Sequence, residues 1–473
     1  MNDLIIEQLK SYFKGIDPAE LKIEQMEYEE NVYDILFEEW GESVGSVRFD
    51  ELGIAEFFIY TDEIDTLPGK ASKFDMIMQA EGFIDRFYNK EFKNGLYLSA
   101  YIDLGEYHIV LYNRKDERLD KELPDSGISF TMLSNGLISA VEREKLGYDI
   151  HYPDQSITSN QAKEIYYNQL QLEPVIAKYA KDTYLYGDNC YHYVYELEDH
   201  IIEVDTAGNI HTTEVLGIGR SIIDKLPNVT NYTDIYTLAG LTEEHMKVAE
   251  VKKGNQRMEV WSRLPKESLR VSDEDLTDDE LDIPEAIKLV FYNDGRLIKL
   301  MGQEYHQSDD VISYEEALNR AISLLAAISI QPLNHFRLQK NLQLPALGED
   351  DGAAEVDSYF FTFIRYERGV RVTDATVTVE VDATGIVKHA DADPEVLNDF
   401  SNIDLHEEVS LSEARKMIKE ALFMDLSWVK DHHAQRYTLS YLPSYPMTTG
   451  HIKMIHTKTG EPWVIDTSCM DQY

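Results

Sequence analysis

A glycine-serine-glycine pattern near the start of the sequence is the first feature that could carry out chemistry. Gly41-Glu42-Ser43-Val44-Gly45 matches the G-x-S-x-G nucleophile elbow, in which a serine hydroxyl attacks an acyl carbon and a helix follows at once. Here the residues from Val44 to Phe49 are instead typical of a strand. The sequence therefore favours a hairpin turn at Ser43, and a hydrolase that uses this serine is kept as an alternative.

Four of the 14 histidines lie in the last part of the sequence and suggest a metal site: His432, His433, His451 and His456. On one strand His451 and His456 would face opposite ways, because they are an odd number of residues apart, and no H-E-x-x-H pair is present. Surface or turn positions are therefore favoured. A metal-dependent enzyme is kept as an alternative, and no catalytic, cofactor-binding or metal-binding residue is predicted.

Three other patterns could hold a ligand, and each has a simpler structural explanation. Cys190 and His192 are two positions apart on a predicted strand, but two ligands do not make a metal site. The acidic stretch from Asp273 to Asp282 lacks the glycine of an EF-hand loop. Gly217-Ile218-Gly219 lacks the third glycine of a dinucleotide-binding turn. A core strand, a solvated loop and a turn are favoured at these three places.

The composition indicates an acidic globular protein with several domains. The 473 residues exceed what one core can organise, and 43% of them are hydrophobic. The formal charge of -43 repels nucleic acid and anionic lipid, so neither is expected as a partner, whereas a basic partner would be attracted. Only Cys190 and Cys469 occur, which excludes a disulfide scaffold. Residues 1–20 lack a signal sequence and no membrane-spanning run is present, so the sequence predicts a cytoplasmic protein without membrane insertion.

Three copies of one pattern determine where helices begin. In each copy a β-branched residue precedes a Ser or Thr, and a Glu or Gln and then an Ala follow: Ile157-Thr158-x-x-Gln161-Ala162, Ile312-Ser313-x-x-Glu316-Ala317 and Val409-Ser410-x-x-Glu413-Ala414. This is the capping box of a helix N-terminus. A turn that ends in glycine follows at Gly208, Gly385 and Gly460, and it begins with Asp205, Asp382 and, by alignment, Thr457.

The change from helical to strand periodicity recurs along the chain and predicts an α+β protein of tandem modules, each a helix packed on a small antiparallel sheet. Weaker helix-plus-meander copies are predicted at residues 1–66 and 67–152, with helices from Asn2 to about Phe13 and from about Ser72 to Tyr88. The stronger copies are repeat I (153–216), repeat II (309–398) and repeat III (399–473). Between repeats I and II, a linking unit (217–308) carries the acidic loop and a short helix that begins at Gly240-Leu241-Thr242.

These residues resemble the YcdB/YcdC repeat domain of Bacillus-type bacteria, which is similar to the PepSY module. The resemblance rests on Ile312 to Ala317, on Tyr359 to Val372 and on Val379 to Gly385, with Gly240-Leu241-Thr242 and Trp261 in the linking unit. It covers residues 153–473, and more loosely 1–152. It implies tandem helix-on-sheet units and no established activity. PepSY-type modules occur in peptidase propeptides, and many relatives look exported.

The leading functional hypothesis is a non-enzymatic repeat protein that binds a protein or a peptide, with modulation of a peptidase as one form of that role. The aromatic strands Tyr191 to Tyr195 and Tyr359 to Phe363 supply core faces, and an edge strand beside such a face could accept an extended chain. The alternatives are a hydrolase or metal-dependent enzyme using Ser43 or the four late histidines, and a structural protein of a spore or cell envelope. No cofactor is predicted, and the sequence does not determine the oligomeric state.

Overall fold

The computed structural model confirms the α+β class, with helices interspersed among antiparallel-rich sheets. It describes residues 8–9, 12–13, 20–26, 29, 31–37, 41, 43–60, 69–144, 148–197, 201–212, 222–227, 229, 232–269, 286–302, 311–328, 333–340, 358–431, 434–448, 450–467 and 470–472. Most of the predicted helix at Asn2 to Phe13, Gly217-Ile218-Gly219, the acidic stretch Asp273 to Asp282, His432 with His433, and Cys469 lie outside these residues. None of the helices in the described ranges is both long and apolar enough to cross a membrane.

The N-terminal part of the chain forms one twisted sheet covered by helices. Its elements are β1 (Leu21–Gln25), β2 (Val32–Phe37), β3 (Ser43–Asp50), β4 (Gly53–Ile59), α1 (Lys73–Phe87), α2 (Lys90–Lys93), β5 (Leu96–Asp103), β6 (Tyr107–Lys115), β7 (Glu122–Leu133) and β8 (Ile138–Arg143). The next strand, β9 (Asp149–His151), belongs to another sheet, in which it pairs in parallel with the strand Arg436–Ser444. β1 to β4 and β5 to β8 are two antiparallel meanders, and β4 pairs with β8 to join them.

The core of this sheet is aromatic and lies under α1. Phe57, Phe83 and Phe130 are all buried there, together with Leu9 and Phe13 from the region of the first predicted helix. Ser72 begins α1 with a capping box whose second member is Asp75 rather than Glu or Gln. The helix predicted from about Ser72 is therefore confirmed.

The remaining elements follow in the order that the repeats predict. Repeat I contains α3 (Ser159–Gln169), β10 (Leu172–Lys178), β11 (Tyr191–Leu197), β12 (Ile201–Asp205) and β13 (Ile210–Thr212). The linking unit contains β14 (Ile222–Lys225), α4 (Ile235–Leu238), β15 (Met246–Lys253), β16 (Gln256–Ser262), a 3₁₀ turn (Lys266–Ser268), β17 (Ala286–Tyr292) and β18 (Leu297–Gly302). Repeat II contains α5 (Tyr314–Ile328), a 3₁₀ turn (Leu333–His335), β19 (Phe336–Lys340), β20 (Ser358–Glu367), β21 (Val370–Asp382), β22 (Val387–Ala392) and a 3₁₀ turn (Pro394–Leu397). Repeat III contains α6 (Leu411–Ala421), β23 (Phe423–Asp431), β24 (Arg436–Ser444), β25 (Ile452–His456), β26 (Pro462–Val464) and β27 (Met470–Gln472).

Two details of the predicted elements are wrong. The short helix of the linking unit does not begin at Gly240: α4 begins after Asp234, whose side chain accepts from the Thr237 N–H, and Gly240 ends it with a φ of 75°. In addition, each repeat contains a strand between its helix and its first predicted strand, at β10, β19 and β23, that the sequence did not indicate. β10 and β23 follow their helices within three residues, and all three strands carry charged side chains, so the sequence shows no clear change from helical to strand periodicity there.

All three predicted capping boxes are formed. Thr158 with Gln161 and Ser410 with Glu413 make both reciprocal hydrogen bonds. In repeat II the Glu316 N–H donates to the Ser313 hydroxyl oxygen at 3.2 Å, and the Ser313 N–H donates to the Glu316 carboxylate at 3.0 Å. The alanine after each box is fully buried. These polar residues are therefore explained by helix initiation.

Repeat II pairs its own four strands with one another and provides the standard for the other two repeats. Its strands β19 to β22 pair in chain order, and Arg368 and Gly369, both with positive φ, form a two-residue turn between β20 and β21. The Tyr359 hydroxyl donates to the Ile312 carbonyl at 2.7 Å, and the Ile312 N–H donates to the Ala383 carbonyl at 2.8 Å. These bonds join the start of α5 to the sheet and to the turn after β21.

Repeats I and III exchange strands with each other. One set of four strands, at the end of the largest sheet, has the order β10-β11-β25-β26, and a second set, beside which β9 pairs with β24, has the order β23-β24-β12-β13. We call these two four-stranded sets the mixed sheets. Each mixed sheet takes its first two strands from one repeat and its last two from the other, and all the pairings are antiparallel as in repeat II. Neither repeat therefore closes a sheet alone.

Equivalent residues in all three sheets confirm this exchange. A tyrosine lies directly opposite the residue that precedes the glycine turn: Tyr359 opposite Val381, Tyr195 opposite Ile455 and Tyr441 opposite Val204. In the mixed sheets the tyrosine hydroxyl donates to the backbone carbonyl of the residue before the helix N-cap of the other repeat. Tyr195 donates to the Val409 carbonyl at 3.0 Å, and Tyr441 donates to the Ile157 carbonyl at 2.5 Å. Repeats I and III thus exchange equivalent strands in both directions, with approximate twofold symmetry.

Two basic side chains connect the exchanged repeats in the same reciprocal way. Lys163 of α3 donates to the Leu422 carbonyl at 2.5 Å, and Arg415 of α6 donates to the Leu170 carbonyl at 2.5 Å. Each basic residue lies five positions after its own cap residue, and each acceptor is the C-cap of the other helix. In repeat II, which makes no exchange, this position is Leu318.

The exchanged pair contacts both of its neighbours. β10 runs parallel to β21 of repeat II, with Val175 opposite Arg371, and this joins the linking unit, repeat II and the first mixed sheet. On the other side, Trp428 and Leu439 of the second mixed sheet pack against Leu123 of β7. The six predicted segments share sheets, and their borders stay a prediction.

Candidate functional site

Ser43 lies at the beginning of β3, not at a strand-to-helix turn. Its hydroxyl donates to the Gly45 carbonyl at 3.4 Å, and the residues that follow continue as strand to Asp50. A Cβ atom at Gly45 would lie 2.4 Å from the Phe58 carbonyl oxygen on β4, so this glycine permits close pairing of two strands. The nucleophile-elbow geometry is therefore not formed at Ser43.

A serine, a histidine and an aspartate that the sequence did not single out lie close together beside the turn between β5 and β6. Ser134 Oγ lies 3.4 Å from His108 Nε2, and His108 Nδ1 lies 3.3 Å from Asp103 Oδ1. However, the Ser134 hydroxyl donates to the Gly105 carbonyl at 2.9 Å, and the His108 ring is buried beside the Tyr101 hydroxyl. This arrangement connects two turns and does not present an activated hydroxyl.

Of the four late histidines, the structure describes His451 and His456, and they have different surroundings. His451 is exposed and packs edge-on against Tyr445, whereas His456 ends β25. Among the described residues no group of three or more His, Cys, Asp or Glu side chains could hold a metal ion. Cys190 is exposed, and its neighbour His192 has its Nε2 2.9 Å from an Asp188 carboxylate oxygen.

His456, and not Thr457, takes the position of the turn aspartates. In repeats I and II the Asp205 and Asp382 carboxylates accept backbone N–H groups two and four residues later. In repeat III the His456 Nδ1 accepts the N–H groups of Lys458 and Thr459, both at 3.2 Å. The alignment that placed Thr457 here is wrong, because this turn contains one more residue before its glycine.

This histidine and a second one from repeat I line a cavity of about 260 Å³. The rings of His192 and His456 are 5.4 Å apart between centroids. We call this cavity the exchange pocket, and its lining residues are Tyr191, His192, Tyr193, Asn402, Ile403, Asp404, His456, Thr457 and Lys458. Because β11 pairs with β25, the pocket gathers side chains from both exchanged repeats.

Hydrogen bonds fix the walls of the exchange pocket. The Thr457 hydroxyl donates to the Tyr193 carbonyl at 2.8 Å, which holds the glycine turn against β11. The Tyr193 hydroxyl donates to the Glu407 carboxylate at 2.7 Å, and Lys458 donates to Asp404 at 3.1 Å. Burial, together with the hydrogen bond to Glu407, raises the pKa of Tyr193 to about 12, so this phenol stays neutral.

Two ionised carboxylates lie at the exchange pocket, Asp404 in its lining, where it pairs with Lys458, and Asp188 beside it. Hydrogen bonds from the His406 N–H and from Lys458 hold the pKa of the Asp404 carboxyl below its ordinary value. Partial burial opposes ionisation of Asp188, but hydrogen bonds from the Cys190 N–H and from His192 outweigh it and lower the pKa of that carboxyl. Ionised carboxylates beside aromatic walls favour a cationic guest over an anionic one.

The turn at His456 should make stability depend on pH. Burial and the neighbouring His192 lower the pKa of His456, although Glu461 opposes the shift. As the pH falls through 6.5, His456 takes up a proton in the unfolded chain before it does so in the folded chain. The free energy of unfolding therefore decreases until the pH reaches the lower pKa of His456 in the folded state. A protonated Nδ1 cannot accept the two N–H groups, and each lost hydrogen bond costs about 1 kcal/mol.

We therefore expect His456→Asn to remove part of this pH dependence. Urea unfolding at pH 7.5 and pH 5.5 measures the free energy of unfolding at each pH. The change in this free energy between the two pH values is then compared for the variant and the parent. His451→Asn serves as the matched control, because His451 is exposed and accepts no turn N–H in the described hydrogen bonds. An identical pH dependence in the parent and in the His456→Asn variant would contradict the role assigned to this ring.

The fold and the pocket define an α+β protein built from helix-on-sheet units, two of which exchange strands. Residues 233–389, from the linking unit to β22, match the model of the YcdB, YcdC repeated domain, and the chain therefore contains this domain. Among solved structures, the chain is similar to the Bacillus megaterium YpeB C-terminal domain, with 14% identity over 49% of this chain and 92% of that chain and a TM-score of 0.26. No curated protein matches the chain.

Proposed function

We propose that this chain is a non-enzymatic repeat protein that binds a basic segment of a partner protein in the exchange pocket. The observation that carries the proposal is the pocket itself, which is built from two repeats and bordered by ionised carboxylates and tyrosine rings. Its volume suits one or two side chains rather than a large cofactor. The formal charge of -43 would attract a basic segment from a distance.

The family resemblance makes a peptidase one class of partner for this pocket. A lysine or arginine side chain would place its cation between Asp404 and the phenol rings of Tyr191 and Tyr193, where it would compete with Lys458 for the Asp404 carboxylate. Ion pairing and cation-π attraction would then act on the same group. The neighbouring peptide would lie across the turn after β25, where Asn402 and Lys458 are exposed.

A labelled nonapeptide that alternates lysine and alanine tests the proposal by fluorescence anisotropy. We expect it to bind the full chain, to bind more weakly as salt is raised, and to lose about tenfold in affinity in the Asp404→Lys variant. Asp154→Lys is the matched control, because it changes the net charge equally at an exposed residue outside the pocket lining.

Two results would overturn the proposal. Equal loss in both charge-reversal variants would show that the acidic surface as a whole, and not the pocket, attracts the peptide. Equal binding of the corresponding glutamate-alanine peptide would show that cationic side chains are not selected.

A further inference from the structure

The outer edge of β5 already holds an extended segment that comes from the far end of the sequence. β27 pairs antiparallel with β5, with Met470 opposite Ile102, Asp471 opposite Tyr101 and Gln472 opposite Ala100. The inner edge of β5 pairs with β6 along nearly its full length. β27 thus becomes the last strand of the N-terminal sheet, although the strand that precedes it, β26, belongs to another sheet.

This pairing occupies less than half of the edge. β5 has eight residues, and β27 lies opposite three of them. Among the described strands, none other than β27 pairs with the outer edge of β5. A strand that paired along the whole edge could form more backbone hydrogen bonds than β27 does, and would have an enthalpic advantage over it.

The two faces beside this edge differ, and this gives an added strand a preferred pattern. Directly opposite residues of an antiparallel pair share a face. A ligand residue opposite Tyr101 would therefore lie on the side of α1, where the Lys73 ammonium is 5.1 Å from the centre of the Tyr101 ring. A residue opposite Ile102 would lie on the other face, beside a half-buried apolar side chain.

We propose that the outer edge of β5 is a strand-acceptor site for an extended segment of a partner protein, and that residues 470–472 are its internal occupant. The segment carries an apolar residue opposite Ile102 and an acidic residue opposite Tyr101, the order found in Met470-Asp471. The internal strand competes as a tethered ligand, whose effective concentration is in the millimolar range for short linkers. A partner therefore gains access when the internal strand is released. This site is separate from the exchange pocket and needs a different ligand.

Substitution of one occupant residue in the full chain tests this proposal. Asp471→Pro removes a backbone N–H and fixes φ, which is incompatible with regular pairing, whereas Asp471→Asn keeps the N–H. The probe is a labelled peptide of residues 466–473 with serine at position 469. We expect the Asp471→Pro variant to bind the probe at least tenfold more tightly than the parent and the Asp471→Asn variant, and a probe with proline at 471 to bind none of them.

Hydrogen exchange of the peptide that covers β5 completes the test. We expect its amides to exchange faster in the Asp471→Pro variant than in the Asp471→Asn variant, and to be protected again when the probe is added. Unchanged exchange in the Asp471→Pro variant would show that residues 470–472 do not protect this edge. Faster exchange without probe binding would show that the edge accepts no strand in trans. Either result would overturn the proposal, and neither would bear on the lysine peptide at the exchange pocket.

Discussion

Replacing Trp463 by alanine is expected to lower the free energy of unfolding by about 3–5 kcal/mol. Trp463 of β26 is 1% exposed and stacks on Tyr179 with ring centroids 4.2 Å apart and planes at 11°. Tyr184 and Met454 belong to the same cluster. Because Tyr179 and Tyr184 belong to repeat I, the cavity would form between the two exchanged repeats, where removal of one ring affects both.

Urea unfolding followed by circular dichroism measures this loss. Tyr186→Ala is the control, because Tyr186 lies in the adjacent turn but is 82% exposed, and we expect its effect to stay within about 0.5 kcal/mol. A loss below about 1 kcal/mol for Trp463→Ala would contradict the packing of β26 against repeat I. A double-mutant cycle with Tyr179→Ala should show coupling, since the two rings are in contact.

The sequence predicted helix starts better than it predicted strand partners. The capping boxes at Thr158, Ser313 and Ser410 use local hydrogen bonds, and each is formed as expected. The pairing of strands depends instead on contacts between distant residues. Tyr195 and Tyr441 occupy equivalent positions, so either could serve either glycine turn, and their sequence alone does not select the partner.

Turn chemistry supplies a physical reason for the local strand pairing in repeat II. In repeat II, Arg368 and Gly369 adopt the positive φ angles of a two-residue hairpin, which brings β20 directly onto β21. The seven residues between β24 and β25 contain Pro446 as well as Gly450, and these two strands pair with other strands rather than with each other. Lys163 and Arg415, which bridge the exchanged helices, were a second available signal, because the equivalent residue of repeat II is Leu318.

The exchange pocket could be predicted only in parts. Cys190 with His192, and His456 among the late histidines, were each recognised as unusual, but these were separate hypotheses about metal binding. The rings of His192 and His456 lie close together because β11 pairs with β25. No local sequence pattern indicates this pairing. A stronger sequence signal was available, because His456 occupies the position of Asp205 and Asp382 in the glycine turn. The sequence comparison missed it, since the turn of repeat III is one residue longer and Thr457 was aligned with the aspartates instead.

Replacing Arg371 by methionine is expected to destabilise the chain by about 2 kcal/mol at pH 7. The Arg371 guanidinium donates to Glu173 at 3.0 Å and to Glu196 at 2.5 Å, where β21 meets β10. Burial alone would lower the pKa of Arg371, but the two carboxylates outweigh this effect and raise it. Without the guanidinium, two negative charges would face each other at a junction that has only two paired positions, and partial solvent exposure keeps the expected loss below that of a fully buried ion pair.

A second substitution distinguishes charge repulsion from lost packing. Adding Glu196→Gln to the Arg371→Met variant removes one of the two facing charges, so it should recover part of the stability at pH 7. Urea unfolding of the parent and both variants at pH 7 measures this recovery, with the exposed Lys416 of α6, replaced by methionine, as a control expected to stay within about 0.5 kcal/mol. If Glu196→Gln had no effect in the Arg371→Met variant, packing of the arginine stem, rather than its charge, would hold β10 to β21.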